Sequence, residues 1–224
     1  MTGVHDMGGR FGDGPVVPEP QGIPAYTEDW HAKALALTVA AGALGKWNID
    51  ISRHARERLA PKDYARFSYY EKWIAALADL VVKRGIATRD ELTSGDPATT
   101  ADAAAAITAN KMAAALVRGA PASRDSNVAP GFTVGQAVRS LRPAANRLVD
   151  GGHTRLPNYA AGARGTILIY HGAHVLPDSN AHDLGEAPEP LYAVAFPASE
   201  LWADPEHSGD EVILDLWQSY LEPA

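Results

Sequence analysis

Residues 68–85 read SYYEKWIAALADLVVKRG and carry the clearest helical pattern of the chain. Ser68 and Glu71 have the spacing of a capping box, and Gly85 is the residue type that most often closes a helix. The large apolar residues recur three and four positions apart, which predicts an amphipathic helix. The apolar face of this helix consists of Tyr70, Trp73, Ile74, Leu77, Leu80 and Val81.

Further helix signals lie on both sides of this stretch. Acidic residues follow Thr27 and predict a capped first turn, and Thr88 and Glu91 form a second capping box. An alanine-rich segment is closed by Gly119. Besides the central helix, we predict helices from about Trp30 to Leu44, from Asp50 to near Pro61, and from about Thr100 to Arg118.

Short β segments replace the helical pattern after residue 131. Tyr192, Val194 and Phe196 alternate with smaller residues, as in a strand with one buried side. Turns rich in Gly, Pro and Asp separate the segments, and this arrangement predicts a small barrel of SH3-like type. The segments are FTVGQAVRSL (132–141), GTILIY (165–170), LYAVAF (191–196) and EVILDLW (211–217).

The predicted fold class is therefore α+β with several domains. Residues 1–25 are rich in Gly and Pro and form either a disordered tail or an extended arm that orders against a partner. Residues 26–119 form a helical domain, and residues 120–131 form a linker. Residues 132–224 form the SH3-like β-barrel domain.

Composition excludes several classes of function. The formal net charge is −7, and basic residues form no long run, so nucleic acid is not an expected partner. Neither a signal peptide nor a membrane span is apparent, which indicates a cytoplasmic protein. The chain contains no cysteine, so any thiolate–metal chemistry needs sulfur from another chain.

Some candidate sites have simpler interpretations. His171 and His174 form an HxxH motif, but they straddle Gly172 at a strand end, and we expect satisfied histidines rather than metal ligands. No G-x-S-x-G elbow supports a hydrolytic triad built from His153, Asp183 or Glu186. On composition alone, Arg155 is a loop arginine. The arginines of the short helix that starts at Asp50 form a solvated charged face, and they are Arg53, Arg56 and Arg58.

A series of motifs in the expected order resembles the nitrile hydratase β subunit. The resemblance covers nearly the whole chain and fails mainly over residues 95–130. The motifs are MTGVHDMGGRFGDGPV (1–16), DISRHARERLAPKDY (50–64), SYYEKW (68–73), GHTRLPNY (152–159), HGAHVLPD (171–178), GEAPEPLYAVAF (185–196), ELW (200–202) and DLWQSYLEP (215–223).

The resemblance implies an enzyme that hydrates nitriles to amides and is active only with an α subunit, as an αβ heterodimer often paired into α2β2. In that family the α subunit holds non-haem Co(III) or Fe(III) through thiolates and backbone amides, and two of those cysteines are oxidised. The overall likeness leans toward the cobalt members. This chain would bind no metal by itself, and its lack of cysteine fits that role.

The resemblance also implies roles for particular residues. Arg53 and Arg155 would donate hydrogen bonds to the oxidised cysteines, because a guanidinium offers a rigid, permanently charged set of donors. Tyr69 would lie near the substrate and donate or relay a proton. The substrate pocket would be lined by Ile49, Ser52 and Trp73, and Ser52 stands where many relatives carry an aromatic residue.

Two other functions compete with this one. A subunit of the related thiocyanate hydrolase is the first, and an unbroken chain of 224 residues argues against it, since that enzyme divides the equivalent chain into two. A non-catalytic assembly factor of the metallochaperone type is the second. Such factors resemble the front half of the subunit, and the GHTRLPNY motif of the barrel argues against one.

Overall fold

The computed structural model describes His5, residues 17–98 and residues 106–224 of the chain. Contacts within the chain divide these residues into two compact units. His5, residues 17–98 and residues 106–120 belong to the first, which we call the helical unit, and residues 121–224 form the second, the β unit.

Most of the predicted arm over residues 1–25 lies outside the described residues. Residues 17–28 form no helix or strand, in keeping with their Gly and Pro content. His5 contacts its own helical unit: its Nδ1 lies 2.6 Å from the Tyr64 hydroxyl, and its Nε2 lies 3.8 Å from a Glu57 carboxylate oxygen. Wrapping of a partner by this arm stays a prediction.

The described part of the helical unit contains six helices. None of the described helices combines the length and the apolar character that a membrane span requires. The helices are α1 (Asp29–Gly42), α2 (Ile49–Glu57), α3 (Pro61–Arg66), α4 (Tyr69–Lys83), α5 (Arg89–Ser94) and α6 (Ala109–Arg118).

Both capping boxes predicted from the sequence are present. In α4, the Ser68 backbone N–H donates to the Glu71 carboxylate at 2.7 Å, and Gly85 follows the helix with a φ of 67°. In α5, Thr88 and Glu91 exchange the same pair of contacts. These local signals therefore fix where α4 and α5 begin.

Two predicted helix starts were wrong. The cap of α2 is Asn48, whose side chain accepts from the Ile51 N–H at 2.9 Å, so the helix begins before Asp50. The alanine-rich helix was expected from Thr100, but residues 106–108 are not helical and α6 begins after the Thr108 cap. Alanine favours a helix without fixing its start, whereas a threonine hydroxyl binds the first free N–H groups.

The core of the helical unit joins α2 to α4. Trp47, Ile51 and Leu80 are buried together, and the partly buried Leu77 and Val81 pack against them. α2 and α4 contact each other, and α1 also packs on α4. The apolar face predicted for residues 68–85 is thus the surface that organises this unit.

The β unit is built on one antiparallel sheet of five strands in the order β4-β3-β2-β1-β5. The SH3-like barrel stays a prediction, since the strand pairing establishes the sheet alone. The strands are β1 (Ala137–Ser140), β2 (Arg164–His174), β3 (Glu189–Pro197), β4 (Glu211–Trp217) and β5 (Leu221–Pro223), and two short helices, α7 (Pro177–Asn180) and α8 (Ala198–Leu201), lie between them.

Strand β3 differs from its prediction. A single buried side was expected, but every residue from Leu191 to Phe196 is buried. The small residues Ala193 and Ala195 lie on the side of the strand that the sequence pattern predicted to be exposed. Because β3 lies inside the sheet with both of its faces covered, alternation of size did not mean alternation of exposure.

Candidate functional site

Arg53 lies on α2 beside a buried carboxylate. Its Nη1 donates to Asp50 Oδ1 at 3.0 Å, across one helical turn. The side chain of Arg53 is 42% exposed, whereas that of Asp50 is 6% exposed. The buried acid holds one nitrogen of a partly exposed guanidinium that has further N–H donors.

Tyr69 and Trp73 lie together at the start of α4. Their ring centroids are 5.5 Å apart, and the ring of Tyr70 lies 5.1 Å from that of Tyr69. Tyr69 is 64% exposed, although it is the first residue of a helix whose opposite face is buried. The Tyr69 ring is therefore accessible to a molecule outside this chain.

Arg56 extends this aromatic group, which sequence analysis did not predict. Its guanidinium carbon lies 4.6 Å from the centre of the Trp73 ring. Burial lowers the pKa of Arg56 from its ordinary value, and the charge of Arg53 lowers it further. The solvated-face interpretation is therefore wrong for Arg56, whereas Arg58 at the end of α2 is exposed. The guanidinium of Arg56 thus lies over the face of the Trp73 ring, at the distance of a cation–π contact.

The other predicted pocket residues lie on α2, outside this ring contact. Ile49 is the first residue of the helix and is 62% exposed, while Ile51 two positions later is 6% exposed and part of the core. Ser52 is partly buried. The helix thus directs one isoleucine inward and leaves another on the surface, and Ser52 adds little bulk beside it.

Arg155 lies in the β unit, in a segment of irregular backbone that precedes a 3-10 turn at Asn158–Ala160. Its backbone N–H donates to the Tyr220 hydroxyl at 3.1 Å. The preceding His153 is 1% exposed, and its backbone N–H donates to His182 Nε2 at 3.0 Å. Side chains distant in sequence therefore fix the main chain that carries Arg155.

The Tyr220 hydroxyl also donates a short hydrogen bond to Asp178 Oδ1. Burial raises the pKa of Asp178 to about 6, although the Tyr220 hydrogen bond and the nearby His153 act in the opposite direction. Burial, followed by the charge of Asp178, raises the pKa of Tyr220 well above its ordinary value. Near neutral pH this pair is a carboxylate beside a neutral phenol.

Three of the remaining candidates are His171, His174 and Glu186. His171 Nε2 lies 3.0 Å from Asp215 Oδ1, which confirms a satisfied histidine. His174 Nδ1 is buried and has no hydrogen-bond partner among the described residues, so the expectation is confirmed for His171 alone. Glu186 forms a two-pronged ion pair with Arg124, at 2.7 Å for each bond, and so fastens the linker segment.

Sequence reasoning missed Arg56, Asp178 and Tyr220. All three lie inside motifs that carry the family resemblance, DISRHARERLAPKDY, HGAHVLPD and DLWQSYLEP. Their contacts span 17, 42 and 65 positions of the sequence, and no local spacing marks such contacts. Their place inside the motifs was the available signal.

Comparison with known proteins identifies the family of this chain. A family model described as nitrile hydratase beta subunit, N-terminal, matches residues 1–118, and one described as nitrile hydratase beta subunit, C-terminal, matches residues 121–223. Both describe one kind of subunit of a hydratase. The chain belongs to the nitrile hydratase β-subunit family.

Curated relatives match along the full length of the chain. A nitrile hydratase subunit beta from Pseudomonas putida is 35% identical and covers 100% of both chains. A low-molecular weight cobalt-containing nitrile hydratase subunit beta from Rhodococcus rhodochrous is 34% identical over 100% of both chains. A cobalt-containing subunit beta from Pseudonocardia thermophila is 31% identical, over 99% of this chain and 96% of the relative.

Among solved structures, a recombinant apo-enzyme of thiocyanate hydrolase from Thiobacillus thioparus aligns with a TM-score of 0.37 at 27% identity. The alignment covers 46% of this chain and 80% of that one.

Proposed function

We propose that this chain is the β subunit of a nitrile hydratase and that, with an α subunit, it hydrates nitriles to amides. The observation that carries the proposal is the match of both β-subunit family models, which together span residues 1–118 and 121–223. The SH3-like barrel, the α2β2 assembly and the cytoplasmic location stay predictions from the sequence.

In this proposal the metal belongs to the α subunit. The present chain has no cysteine, and so it supplies no thiolate ligand. Two relatives are named as cobalt-containing, which favours Co(III) over Fe(III). When bound, the metal acts as a Lewis acid for the addition of water to a nitrile.

The arginines of this chain are proposed to hold the oxidised cysteines of the α subunit. Oxidised thiolates are oxyanions, and they are stabilised best by fixed hydrogen-bond donors that never lose their positive charge. The exposed guanidinium of Arg53, anchored by buried Asp50, supports this role. Arg155 has its main chain held by Tyr220, which leaves its side chain to serve the same purpose.

Tyr69 and Trp73 are proposed to contact the substrate. The exposed Tyr69 hydroxyl would hold or donate a proton at the nitrile nitrogen, and the Trp73 ring would exclude water from the pocket. Arg56, stacked on that ring, keeps it in one orientation. Ile49 and Ser52 would complete the pocket wall, and the small Ser52 leaves more room than an aromatic residue would.

The test is co-expression of this chain with its α subunit, followed by metal analysis and an amide-formation assay on small nitriles. We expect a stable heteromer with cobalt and amide product, and neither metal nor product from this chain alone. Thiocyanate hydrolysis without nitrile hydration would favour the first competing function. A chain that loads the α subunit with cobalt and then dissociates would be an assembly factor.

A further inference from the structure

The segment that carries Arg155 has no regular secondary structure, so its shape depends on side chains that reach it from elsewhere. Residues 152–156 belong to no helix or strand. An arginine on such a segment is a poor donor to a fixed anion unless something else holds the main chain. The contacts around this segment provide that support from two directions.

The first contact is the Tyr220 hydroxyl, and the chemistry of its neighbours fixes the direction of its hydrogen bonds. A backbone N–H can only donate, so the oxygen of Tyr220 accepts from Arg155 at 3.1 Å. The proton of the hydroxyl is then directed at Asp178 Oδ1, where a carboxylate can only accept. Tyr220 and Asp178 are each 4% exposed, so water does not compete for these bonds.

The second contact is made by Asn146 and His182. The Asn146 amide Nδ2 donates to the carbonyl oxygens of His153 and Asp178, the latter at 2.9 Å, and so ties the two segments together. His182 Nε2 accepts from the His153 N–H at 3.0 Å. The same group of side chains therefore holds the segment before Arg155 and the acid behind Tyr220.

Gly152 shows how closely this group approaches the main chain. A Cβ at this position would lie 2.8 Å from Asn146 Nδ2, from His182 Nε2 and from the Val149 carbonyl oxygen. No residue other than glycine fits without displacing one of them. The segment is thus enclosed rather than merely bonded at one point.

We propose that Tyr220 and Asp178 are positioning residues, which act through the backbone of Arg155 to aim its guanidinium at the acceptor on the α subunit. The proposal rests on the proposed function, because the role of Arg155 belongs to it. Tyr220 supplies the acceptor for the backbone, and Asp178 fixes the orientation of the Tyr220 hydroxyl. Neither residue touches the substrate.

The first test is a double-mutant cycle in the metal-loaded heteromer. Tyr220→Phe removes the hydroxyl and keeps the buried ring, and we expect kcat to fall on the order of tenfold with KM changed less than about twofold. Combined with Arg155→Lys, the loss should be much smaller than the product of the two single losses, because Tyr220 acts through Arg155. Losses that multiply would overturn the proposal.

Tyr192→Phe is the matched control. Tyr192 is 0% exposed in the same core, and its hydroxyl donates to Gln218 Oε1 at 3.0 Å, away from the Arg155 segment. We expect wild-type kcat from this variant. Equal losses from Tyr192→Phe and Tyr220→Phe would show a general packing effect and overturn the proposal.

Amide hydrogen exchange supplies a readout that does not depend on activity. In the heteromer, Tyr220→Phe should speed exchange at the Arg155 amide by about tenfold or more, since its acceptor is lost, and Tyr192→Phe should leave it unchanged. Unchanged exchange in Tyr220→Phe overturns the positioning role. A wild-type heteromer that hydrates no nitrile refutes the proposed function. The exchange measurement still tests the hydrogen bond between the Arg155 amide and Tyr220 in that case.

Discussion

The guanidinium carbon of Arg56 lies 4.6 Å from the centre of the Trp73 ring, one turn of α2 beyond Arg53. This contact joins the helix that carries a proposed anion-binding arginine to the aromatic residue of the proposed substrate pocket. The guanidinium of Arg56 therefore packs on an aromatic ring instead of extending into solvent.

The first prediction concerns this stacked pair. Arg56→Lys keeps the positive charge but loses the planar group that covers the ring, so Trp73 should gain mobility and KM for nitriles should rise severalfold. The measurement is steady-state kinetics of the metal-loaded heteromer. Arg58→Lys, at an exposed position of the same helix, should match the wild type. Identical kinetics from both variants would return Arg56 to the role of surface charge.

The second prediction concerns Arg53 and Arg155. Lysine at either position keeps the charge and loses the planar set of donors, which should cost on the order of 1.5–3 kcal/mol, as for a hydrogen bond to a charged group. Turnover should then fall roughly ten- to a hundredfold where the bond acts in the transition state. Both heteromers should still assemble, because such interfaces are held mostly by apolar area.

The double variant of these arginines separates two explanations. If both hold the same oxidised group, the combined loss of kcat should be far from additive in free energy. Near-wild-type turnover of both single variants, at full metal occupancy, would contradict the proposed contacts.

The third prediction concerns Tyr69. Tyr69→Phe removes one hydroxyl and keeps the ring contacts with Tyr70 and Trp73, so the heteromer should form with unchanged affinity while kcat falls. Affinity is measured by titration of the α subunit, and kcat by amide formation. Full activity in the Phe variant would assign Tyr69 to packing alone.

Local signals predicted the helical unit well. The capping boxes at Ser68 and Thr88 and the apolar face of residues 68–85 were confirmed because each depends on neighbours within one or two helical turns. The starts of α2 and α6 were missed, because Asn48 and Thr108 compete with nearby residues for the same caps and composition does not decide between them.

The β unit and the candidate site depend on contacts that local patterns do not encode. Both faces of β3 are buried, and the alternation of large and small residues within Glu189–Pro197 does not indicate this. The contact of Tyr220 with Arg155 spans 65 positions. The family resemblance placed Arg53, Tyr69 and Arg155 as candidates, and only the folded chain shows what holds each of them.

The fourth prediction follows from the titration of Asp178. Its pKa is raised from 3.8 to about 6 in the folded chain, chiefly by burial, so folding favours the protonated acid. Its contribution to stability is complete below the ordinary pKa and is lost as pH rises through about 6. The full difference corresponds to roughly 3 kcal/mol, since each pKa unit is worth about 1.4 kcal/mol.

The comparison that isolates this effect is Asp178→Asn. Asparagine still accepts the Tyr220 hydrogen bond but carries no charge to bury, so the stability of the variant relative to the wild type should increase by about 2 kcal/mol between pH 4.5 and pH 7.5. Urea unfolding of the full chain at several pH values measures this difference. A difference that stays constant with pH would mean that Asp178 titrates at its ordinary value.

The fifth prediction concerns the space around Gly152. In Gly152→Ala the new Cβ would lie 2.8 Å from Asn146 Nδ2, His182 Nε2 and the Val149 carbonyl oxygen, so at least one of them must move. The side chains of Asn146 and His182 can shift, but both hold the His153 backbone, whereas the Val149 oxygen belongs to the main chain. We expect a loss of about 1–3 kcal/mol in the free energy of unfolding, the usual cost of overpacking.

Gly209→Ala is the matched control, because a Cβ at Gly209 meets no atom within 4 Å. The free energy of unfolding of this control should equal that of the wild type. Gly152→Ala should also lower kcat in the heteromer, since the displaced main chain carries Arg155. If Gly152→Ala keeps wild-type stability and wild-type kcat, the segment adapts to the new Cβ at little cost. The contacts of Asn146, His182 and Val149 around Gly152 then do not hold Arg155 in place. If stability falls while kcat stays unchanged, the enclosure stabilises the fold without aiming the arginine.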